Sequence, residues 1–257
     1  MKQPLIMPKA EPFFFPGGPV GCILVHGFTA SPQEMRGLGE YLAGQGYSVM
    51  GVRLAGHSTE VQDLPRMRWW DWLASVSDAY NLLRNLTDQI FVIGLSLGGI
   101  LSLTFAARYP VDGVVAMAAP HHLPNDPRLH FVRLIALLHP YHPKGTPMWF
   151  DQDALKQRVA YNADPLICFV QIQQLLAEMR SGLPEISAPA LLIYSKNDPA
   201  VTVQEGHMDA IYAGLGSQQK ERLWVEKSGH ILTCDQERPV VWQAIANFLK
   251  LHSGVES

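Results

Sequence analysis

The chain has 257 residues, of which 47% are hydrophobic and 17% charged, and a formal net charge of −3. This composition is that of a globular domain with a sizeable core, and the lack of a basic block argues against binding to nucleic acid or an anionic membrane. Three scattered cysteines exclude a disulfide framework and favour a reducing, cytoplasmic compartment. No run approaches a membrane-spanning length, and prolines interrupt the N-terminal segment, so no signal peptide is predicted.

Strand and helix patterns alternate through the first 120 residues. Residues 13–15 predict a short edge strand or an apolar flap, and residues 20–25 are an apolar run typical of a buried strand. Ser31 is the predicted cap of a helix that continues to about residue 43 and stops at the following glycines. The patterns then predict strands at 47–52, 90–94 and 113–117 and helices at 69–85 and 97–108.

The alternation breaks at residues 121–182. This stretch has three helical patterns, near 128–139, 151–160 and 165–180, and no convincing strand. Alternation then resumes, with strands at 189–194 and 222–226 and helices near 204–213 and 239–251. The whole pattern predicts an α/β fold with a mostly parallel central sheet and helices on both faces. We expect residues 1–120 and 183–257 to form the core and residues 121–182 a small helical cap.

The segment Gly94-Leu95-Ser96-Leu97-Gly98 lies between a predicted strand and a predicted helix. A glycine-rich helix start without chemistry is one interpretation, but this strand–turn–helix context is typical of a nucleophile elbow. Small residues at Gly94 and Gly98 would let strand and helix pack closely around the corner. Ser96 is then the candidate nucleophile, and the Leu97 N–H at the helix N-terminus a candidate oxyanion donor.

A serine hydroxyl needs a base, and the base needs a group that orients it. Asp198 and His230 each follow a predicted core strand, and the chain order Ser96, Asp198, His230 is typical of a triad on an α/β sheet. Either residue alone could be an ordinary loop residue. Three other acids are less well placed, because none directly follows a core strand before the histidine: Asp164, Asp209 and Asp235.

The turn His26-Gly27-Phe28 follows the strand at 20–25, which is the expected place for the second oxyanion donor. We assign that role to the Phe28 N–H and expect His26 and His57 to brace loops. Five histidines are concentrated in 121–142, but their spacing lacks a helical i, i+4 pair and no cysteine or carboxylate lies close to them, so no metal site is predicted.

Together these segments resemble the α/β-hydrolase superfamily. The resemblance rests on His26–Thr29, Gly56-His57, Gly94–Gly99, Asn197-Asp198 and Ser228–His230. More narrowly, nearly the whole chain is similar to small bacterial thermostable-type carboxylesterases and monoacylglycerol lipases, least so in 121–182. The family's N-terminal hairpin is expected to be short or absent, because few strands are readable before Val20.

The resemblance implies a serine carboxylesterase without a cofactor, acting on a small-molecule ester through an acyl-enzyme. It implies Ser96 as nucleophile, His230 as base, Asp198 as orienting acid, and Phe28 and Leu97 as oxyanion donors. A monomer or weak homodimer is expected. A carbon–carbon bond hydrolase, an acyltransferase, a peptidase or a non-catalytic binding module would use the same framework.

Apolar residues in 121–182 predict an acyl pocket roofed by the cap. The expected substrates are therefore esters with short-to-medium acyl chains, or monoacylglycerols. The candidates are Leu123, Phe131, Leu134, Leu138, Trp149, Phe150, Leu155, Phe169, Ile172 and Met179.

Overall fold

The computed structural model describes residues 5–145, 148–201 and 203–254. Its main sheet has seven strands in the order β1-β3-β2-β4-β5-β8-β9. They are β1 (Phe13–Phe15), β2 (Val20–Val25), β3 (Ser48–Val52), β4 (Gln89–Leu95), β5 (Gly113–Met117), β8 (Ala190–Ser195) and β9 (Lys220–Val225). Only β1 is antiparallel to its neighbour, and the other pairs are parallel. The predicted fold class is therefore confirmed.

Eight α-helices surround or extend this sheet within the described residues. They are α1 (Gln33–Ala43), α2 (Trp69–Leu83), α3 (Leu97–Ala106), α4 (Val132–Leu138), α5 (Gln152–Lys156), α6 (Cys168–Gly182), α7 (His207–Gly214) and α8 (Arg238–Ser253). No helix in the described ranges is both long and apolar enough to cross a membrane.

The sheet separates two hydrophobic cores. Successive side chains of a strand point to opposite faces, and accordingly Ile23 packs in one core while Leu24 packs in the other. The first core includes residues of α2, α3, α6 and α7, and the second includes residues of α1 and α8. Both faces are covered, which explains why β2 is buried along its whole length.

The strand β1 decides between the two interpretations of residues 13–15 and shows how much of the N-terminal hairpin is present. Residues 13–15 form an edge strand that pairs antiparallel with β3, Phe13 opposite Gly51. The flap interpretation is wrong, and the N-terminal part of the sheet is reduced to this one short strand in the described residues. Residues 1–4, part of the segment in which no signal peptide was predicted, lie outside the described residues.

Two local predictions are wrong. Ser31 does not cap α1, because its hydroxyl instead donates to the Val159 carbonyl at 2.8 Å and the helix begins at Gln33. The stretch 121–182 also contains strands, since β6 (Tyr141–Pro143) pairs antiparallel with β7 (Ala163–Pro165). Each strand has three residues and ends in proline, so neither shows an alternating pattern that sequence could reveal.

Candidate active site

Ser96 lies on a sharp corner between β4 and α3. Its φ of 56° and ψ of −115° are rare for a residue with a side chain and are typical of a strained functional turn. The Ser96 N–H donates to Met117 O at 2.8 Å, which ties the corner to β5. A Cβ atom at Gly94 would collide with the backbone of Gly98, and one at Gly98 with the backbone of Val25. The predicted need for glycine at both positions is confirmed.

Asp198 and His230 are brought together from the ends of two neighbouring strands, β8 and β9. His230 Nδ1 lies 2.6 Å from Asp198 Oδ2. The other oxygen, Oδ1, accepts the N–H groups of Ala200 at 2.8 Å and Val201 at 3.1 Å, so this carboxylate both shapes its turn and binds the ring.

The two groups shift each other's pKa. Burial by itself would raise the pKa of Asp198, but the charge and hydrogen bond of His230 hold that pKa below its usual value. Burial would likewise lower the pKa of His230, yet the Asp198 carboxylate raises it above that of an ordinary imidazole. The pair therefore favours an ionised Asp198 beside a histidine that accepts a proton readily.

The other acids considered for the orienting role, Asp164, Asp209 and Asp235, have different partners. Asp209 is an exposed residue that pairs with Arg222 at 2.6 Å. Asp164 lies 3.5 Å from Lys144 Nζ and accepts a hydrogen bond from Thr29 Oγ1 at 3.0 Å. Neither carboxylate forms a hydrogen bond or an ion pair with the His230 ring, whose partner is Asp198.

Asp235 is buried and holds backbone groups rather than a ring. Its Oδ2 accepts the Gly229 N–H at 2.7 Å, and its Oδ1 accepts the N–H groups of Phe150 at 2.9 Å and Asp151 at 2.8 Å. Gly229 directly precedes His230 in the chain. Asp235 therefore connects the loop after β9 to the stretch between β5 and β8.

The turn after β2 carries the Phe28 N–H next to the corner of Ser96. Gly27 is so close that a Cβ atom there would lie 3.5 Å from Ser96 Cβ. Among the described residues, no group accepts a hydrogen bond from the N–H of Phe28 or of Leu97. Two free N–H groups flanking a serine are what an oxyanion requires.

His26 braces this turn, as the sequence indicates. Its Nε2 accepts the Leu54 N–H at 3.2 Å, so Nδ1 carries the proton and donates to Gly27 O at 2.9 Å. Burial lowers the pKa of His26 to about 4, which keeps the ring neutral. The His57 ring packs edge-on against the His26 ring, with their centroids 5.1 Å apart, and His57 Nδ1 lies 3.2 Å from Ala55 O.

A cavity of about 740 Å³ contains Ser96 and His230 in its lining. Twelve of the 23 described lining residues belong to 121–182. Of the ten apolar residues predicted to form a pocket there, Leu123, Phe169 and Ile172 line the cavity. Trp149 and Met179 are buried in the two cores instead. Other members of the ten are exposed: Phe131, Leu134, Leu138 and Phe150.

The polar part of the cavity lining was not identified from sequence. The Lys144 ammonium donates to Thr29 Oγ1 and lies 3.5 Å from Asp164 Oδ1. Burial lowers the pKa of Lys144, although Asp164 acts in the opposite direction. Arg158 also lines the cavity, and its buried Nε has no hydrogen-bond partner among the described residues. The cavity therefore offers charged groups as well as apolar surface.

One group of metal-ligating side chains forms across distant segments. His122, Glu205 and His207 bring their ligand atoms within 4.8 Å of one another. His207 Nδ1 accepts the His121 N–H at 3.1 Å, so its Nε2 carries the proton and donates to Glu205 at 2.6 Å. Both ring nitrogens of His207 are thus already used. Sequence spacing did not reveal this group, because Glu205 and His207 are far from the histidine-rich stretch.

Glu34 is a buried acid that the sequence presents as an ordinary residue of a helix first turn. It is 2% exposed, and its Oε1 accepts the Gly27 N–H at 2.6 Å. Acids are common in the first turn of a helix because the helix dipole stabilises a negative charge there. No local sequence pattern therefore shows that Glu34 is buried.

The chain matches known proteins over most of its length. The family model Hydrolase_4, described as serine aminopeptidase, S33, matches residues 20–237. The thermostable monoacylglycerol lipase of Bacillus sp. (strain H-257) is 34% identical over 97% of this chain and 98% of its own. The carboxylesterase of Bacillus subtilis (strain 168) is 29% identical over 96% of this chain and 98% of its own.

A solved structure supports the same grouping. It comes from work on LipS and LipT, two metagenome-derived lipolytic enzymes, and superposes with a TM-score of 0.89. Its sequence is 31% identical, and the match covers 96% of this chain and 100% of the other. By sequence and by structure, the chain belongs to the hydrolase family described as serine aminopeptidase, S33.

Proposed function

We propose that this chain is a carboxylesterase that cleaves short-to-medium acyl esters or monoacylglycerols through an acyl-enzyme. The observation that carries the proposal is the contact of 2.6 Å between Asp198 and His230, because the same His230 lines the cavity that also contains the strained Ser96. The relatives in Bacillus bear the names monoacylglycerol lipase and carboxylesterase, which agrees with ester chemistry.

In the proposed reaction, His230 Nε2 accepts the Ser96 hydroxyl proton while Oγ attacks the ester carbonyl. The N–H groups of Phe28 and Leu97 stabilise the oxyanion of the tetrahedral intermediate. His230 then gives its proton to the leaving alcohol, and a water activated by the same ring releases the acid. Asp198 keeps the proton of the neutral ring on Nδ1 and stabilises the imidazolium.

Residues 121–182 act in this proposal as a cap over a core of 1–120 and 183–257. Support comes from their share of the cavity lining, twelve of 23 described residues. The segment is fastened to core loops at several points, for example by the Tyr161 N–H to Thr29 O at 2.8 Å and by the Tyr161 hydroxyl to Gly56 O at 3.0 Å. An acyl group would lie along Leu123, Phe169 and Ile172.

Peptide hydrolysis is the second candidate, because it is what the family description states. An aminopeptidase needs a free carboxylate for the substrate ammonium group. The Asp164 carboxylate in the cavity is already paired with Lys144, which favours the ester over the peptide.

The free thiols support a cytoplasmic location. Cys22 and Cys168 are buried, and burial raises the pKa of Cys168 to about 12. Cysteines that are unpaired are typical of proteins from a reducing compartment, and burial keeps these two thiols unreactive. Subcellular fractionation tests the location, and light scattering tests whether the protein is a monomer or weak dimer.

Labelling with a fluorophosphonate tests the chemistry directly. We expect the wild-type protein to be labelled on Ser96 and to hydrolyse p-nitrophenyl esters faster than the matched thioester and p-nitroanilide. An aminoacyl anilide cleaved faster than every ester would favour the peptidase, and an unlabelled, inactive protein would refute the proposal.

A further inference from the structure

Glu34 lies behind the candidate oxyanion hole, outside the triad. It belongs to the first turn of α1 and is 2% exposed. Its Oε1 accepts the Gly27 N–H at 2.6 Å, while no described group donates to its Oε2. A buried acid with a single short hydrogen bond to a loop backbone needs an explanation, because burying such a group is unfavourable.

The Gly27 N–H adjoins the peptide group that carries the Phe28 N–H. The carbonyl oxygen of that peptide group, Gly27 O, accepts His26 Nδ1 at 2.9 Å and the Ala30 N–H at 3.3 Å. Glu34 holds the N-terminal side of Gly27, and His26 and Ala30 hold its C-terminal side. The direction of the Phe28 N–H is therefore fixed by contacts on both sides of Gly27.

Glu34 also connects to the loop that carries His230. Its backbone carbonyl accepts the hydroxyl of Thr233 at 2.7 Å and the thiol of Cys234 at 3.1 Å. One residue thus joins the loop after β2 to the loop after β9.

The thiol of Cys234 is a titratable group close to the Glu34 carboxyl, and three groups that can carry positive charge also act on this carboxyl: Arg158, His230 and Lys144. Burial nevertheless dominates and raises the pKa of Glu34, against the opposing effects of these groups and of the Gly27 N–H. A carbonyl oxygen accepts the Gly27 N–H whether the acid is ionised or protonated. The hydrogen bond to the loop is therefore possible in either protonation state.

We propose that Glu34 is a positioning residue, whose Oε1 fixes the turn at Gly27 so that the Phe28 N–H points at the oxyanion. This assignment rests on the proposed ester hydrolysis by Ser96. The assignment depends on the position of the Oε1 oxygen and not on the negative charge of the side chain. Three substitutions distinguish these two properties.

Glu34→Gln keeps the length of the side chain and its oxygen but removes the charge. Glu34→Asp keeps the charge but is one methylene shorter, so its oxygens lie farther from Gly27. Glu34→Ala removes both. Glu40→Gln is the matched control, because Glu40 is an exposed acid on the same helix. For each, kcat and KM are measured with a short p-nitrophenyl ester, together with Tm and the inhibition constant of a trifluoromethyl ketone, which mimics the tetrahedral intermediate.

We expect E34Q and E40Q to stay within about threefold of wild-type kcat. We expect E34D and E34A to lose roughly 10- to 100-fold in kcat with KM nearly unchanged, because removal of a whole oxyanion donor costs about 10²–10³-fold. The ketone should bind more weakly by a similar factor. If E34A does not fold, the comparison of E34D with E34Q carries the test.

The assignment is overturned if E34D is active and E34Q impaired, since charge would then be what matters. It is also overturned if E34D and E34Q are both within threefold of wild type, or if both lose activity in proportion to a fall in Tm. A wild-type protein without Ser96-dependent ester hydrolysis would instead refute the proposed function. The two failures are therefore distinct.

Discussion

The ring of His230 and the carboxylate of Asp198 meet at 2.6 Å between Nδ1 and Oδ2. The carboxylate is ionised and accepts hydrogen bonds only, so the proton of the neutral ring is on Nδ1 and the lone pair is on Nε2. The ring can then take a proton only through Nε2. This single contact fixes the tautomer that the proposed reaction needs.

Replacement of the corner serine should abolish turnover. For Ser96→Ala we expect kcat to fall by a factor on the order of 10⁴ or more, going by triad knockouts in other hydrolases. Tm should not fall, since the strained corner keeps its glycine neighbours. Ester hydrolysis and fluorophosphonate labelling are measured beside Ser181→Ala, an exposed serine on α6. More than a few per cent of wild-type kcat in pure S96A would contradict the assignment.

Asp198→Asn should keep KM and lower kcat by roughly 10³–10⁴-fold, because the amide no longer favours the Nδ1–H tautomer. Asp209→Asn is the control, since that exposed acid pairs with Arg222 on the surface. Steady-state kinetics with one soluble ester decide the matter. Equal losses in the two variants would show that Asp198 has no special role.

Activity should fall as the pH decreases through the pKa of His230, since the protonated ring cannot accept the serine proton. Burial would lower this pKa, but Asp198 raises it, so the acid limb of kcat/KM should lie above the ordinary imidazole value of about 6.5. In Asp198→Asn the limb should move to lower pH. A flat profile, or a limb that stays in place in the variant, would contradict a histidine base held by this carboxylate.

Acyl-chain preference should follow the apolar lining of the cavity. Each buried methylene is worth about 0.8 kcal/mol, so two more carbons should raise kcat/KM by roughly tenfold while room remains. Ile172→Phe narrows the cavity and should move the optimum to a shorter chain. Leu137→Phe, at a position 79% exposed on α4, should not. The measurement is kcat/KM for p-nitrophenyl esters from acetate to palmitate, below micelle formation.

A steady rise to palmitate with activation at an oil–water interface would replace the esterase proposal with a lipase. An unchanged optimum in Ile172→Phe would show that the acyl chain lies elsewhere.

The parts of the fold that sequence predicts are those with local signals. The strand β2 is a continuous apolar run, and the corner at Ser96 needs small neighbours on both sides, so both were placed correctly. The pair β6 and β7 was missed because three-residue strands ending in Pro143 and Pro165 have no periodicity. The cap predicted at Ser31 was wrong because a tertiary contact to Val159 takes its hydroxyl.

The supporting residues of the site could not be predicted for a similar reason. Glu34 and Asp235 look like surface acids in sequence, yet each is buried and accepts backbone N–H groups from a loop that carries a candidate site residue. Such roles depend on which loops the sheet brings together at its edge. Residues that directly follow a core strand, such as Asp198 and His230, are the exception, because their place at this edge can be recognised from the sequence.

The Asp235 carboxylate couples two segments of the chain next to the candidate site. A single carboxylate holds the N–H groups of Phe150 and Asp151 on one side and of Gly229 on the other. We therefore expect an opening fluctuation that lifts residues 150–151 also to loosen the segment leading to His230, and the two regions to exchange their amide hydrogens together. On heating, we expect activity to be lost when these two segments open, before the parallel strands beneath them separate.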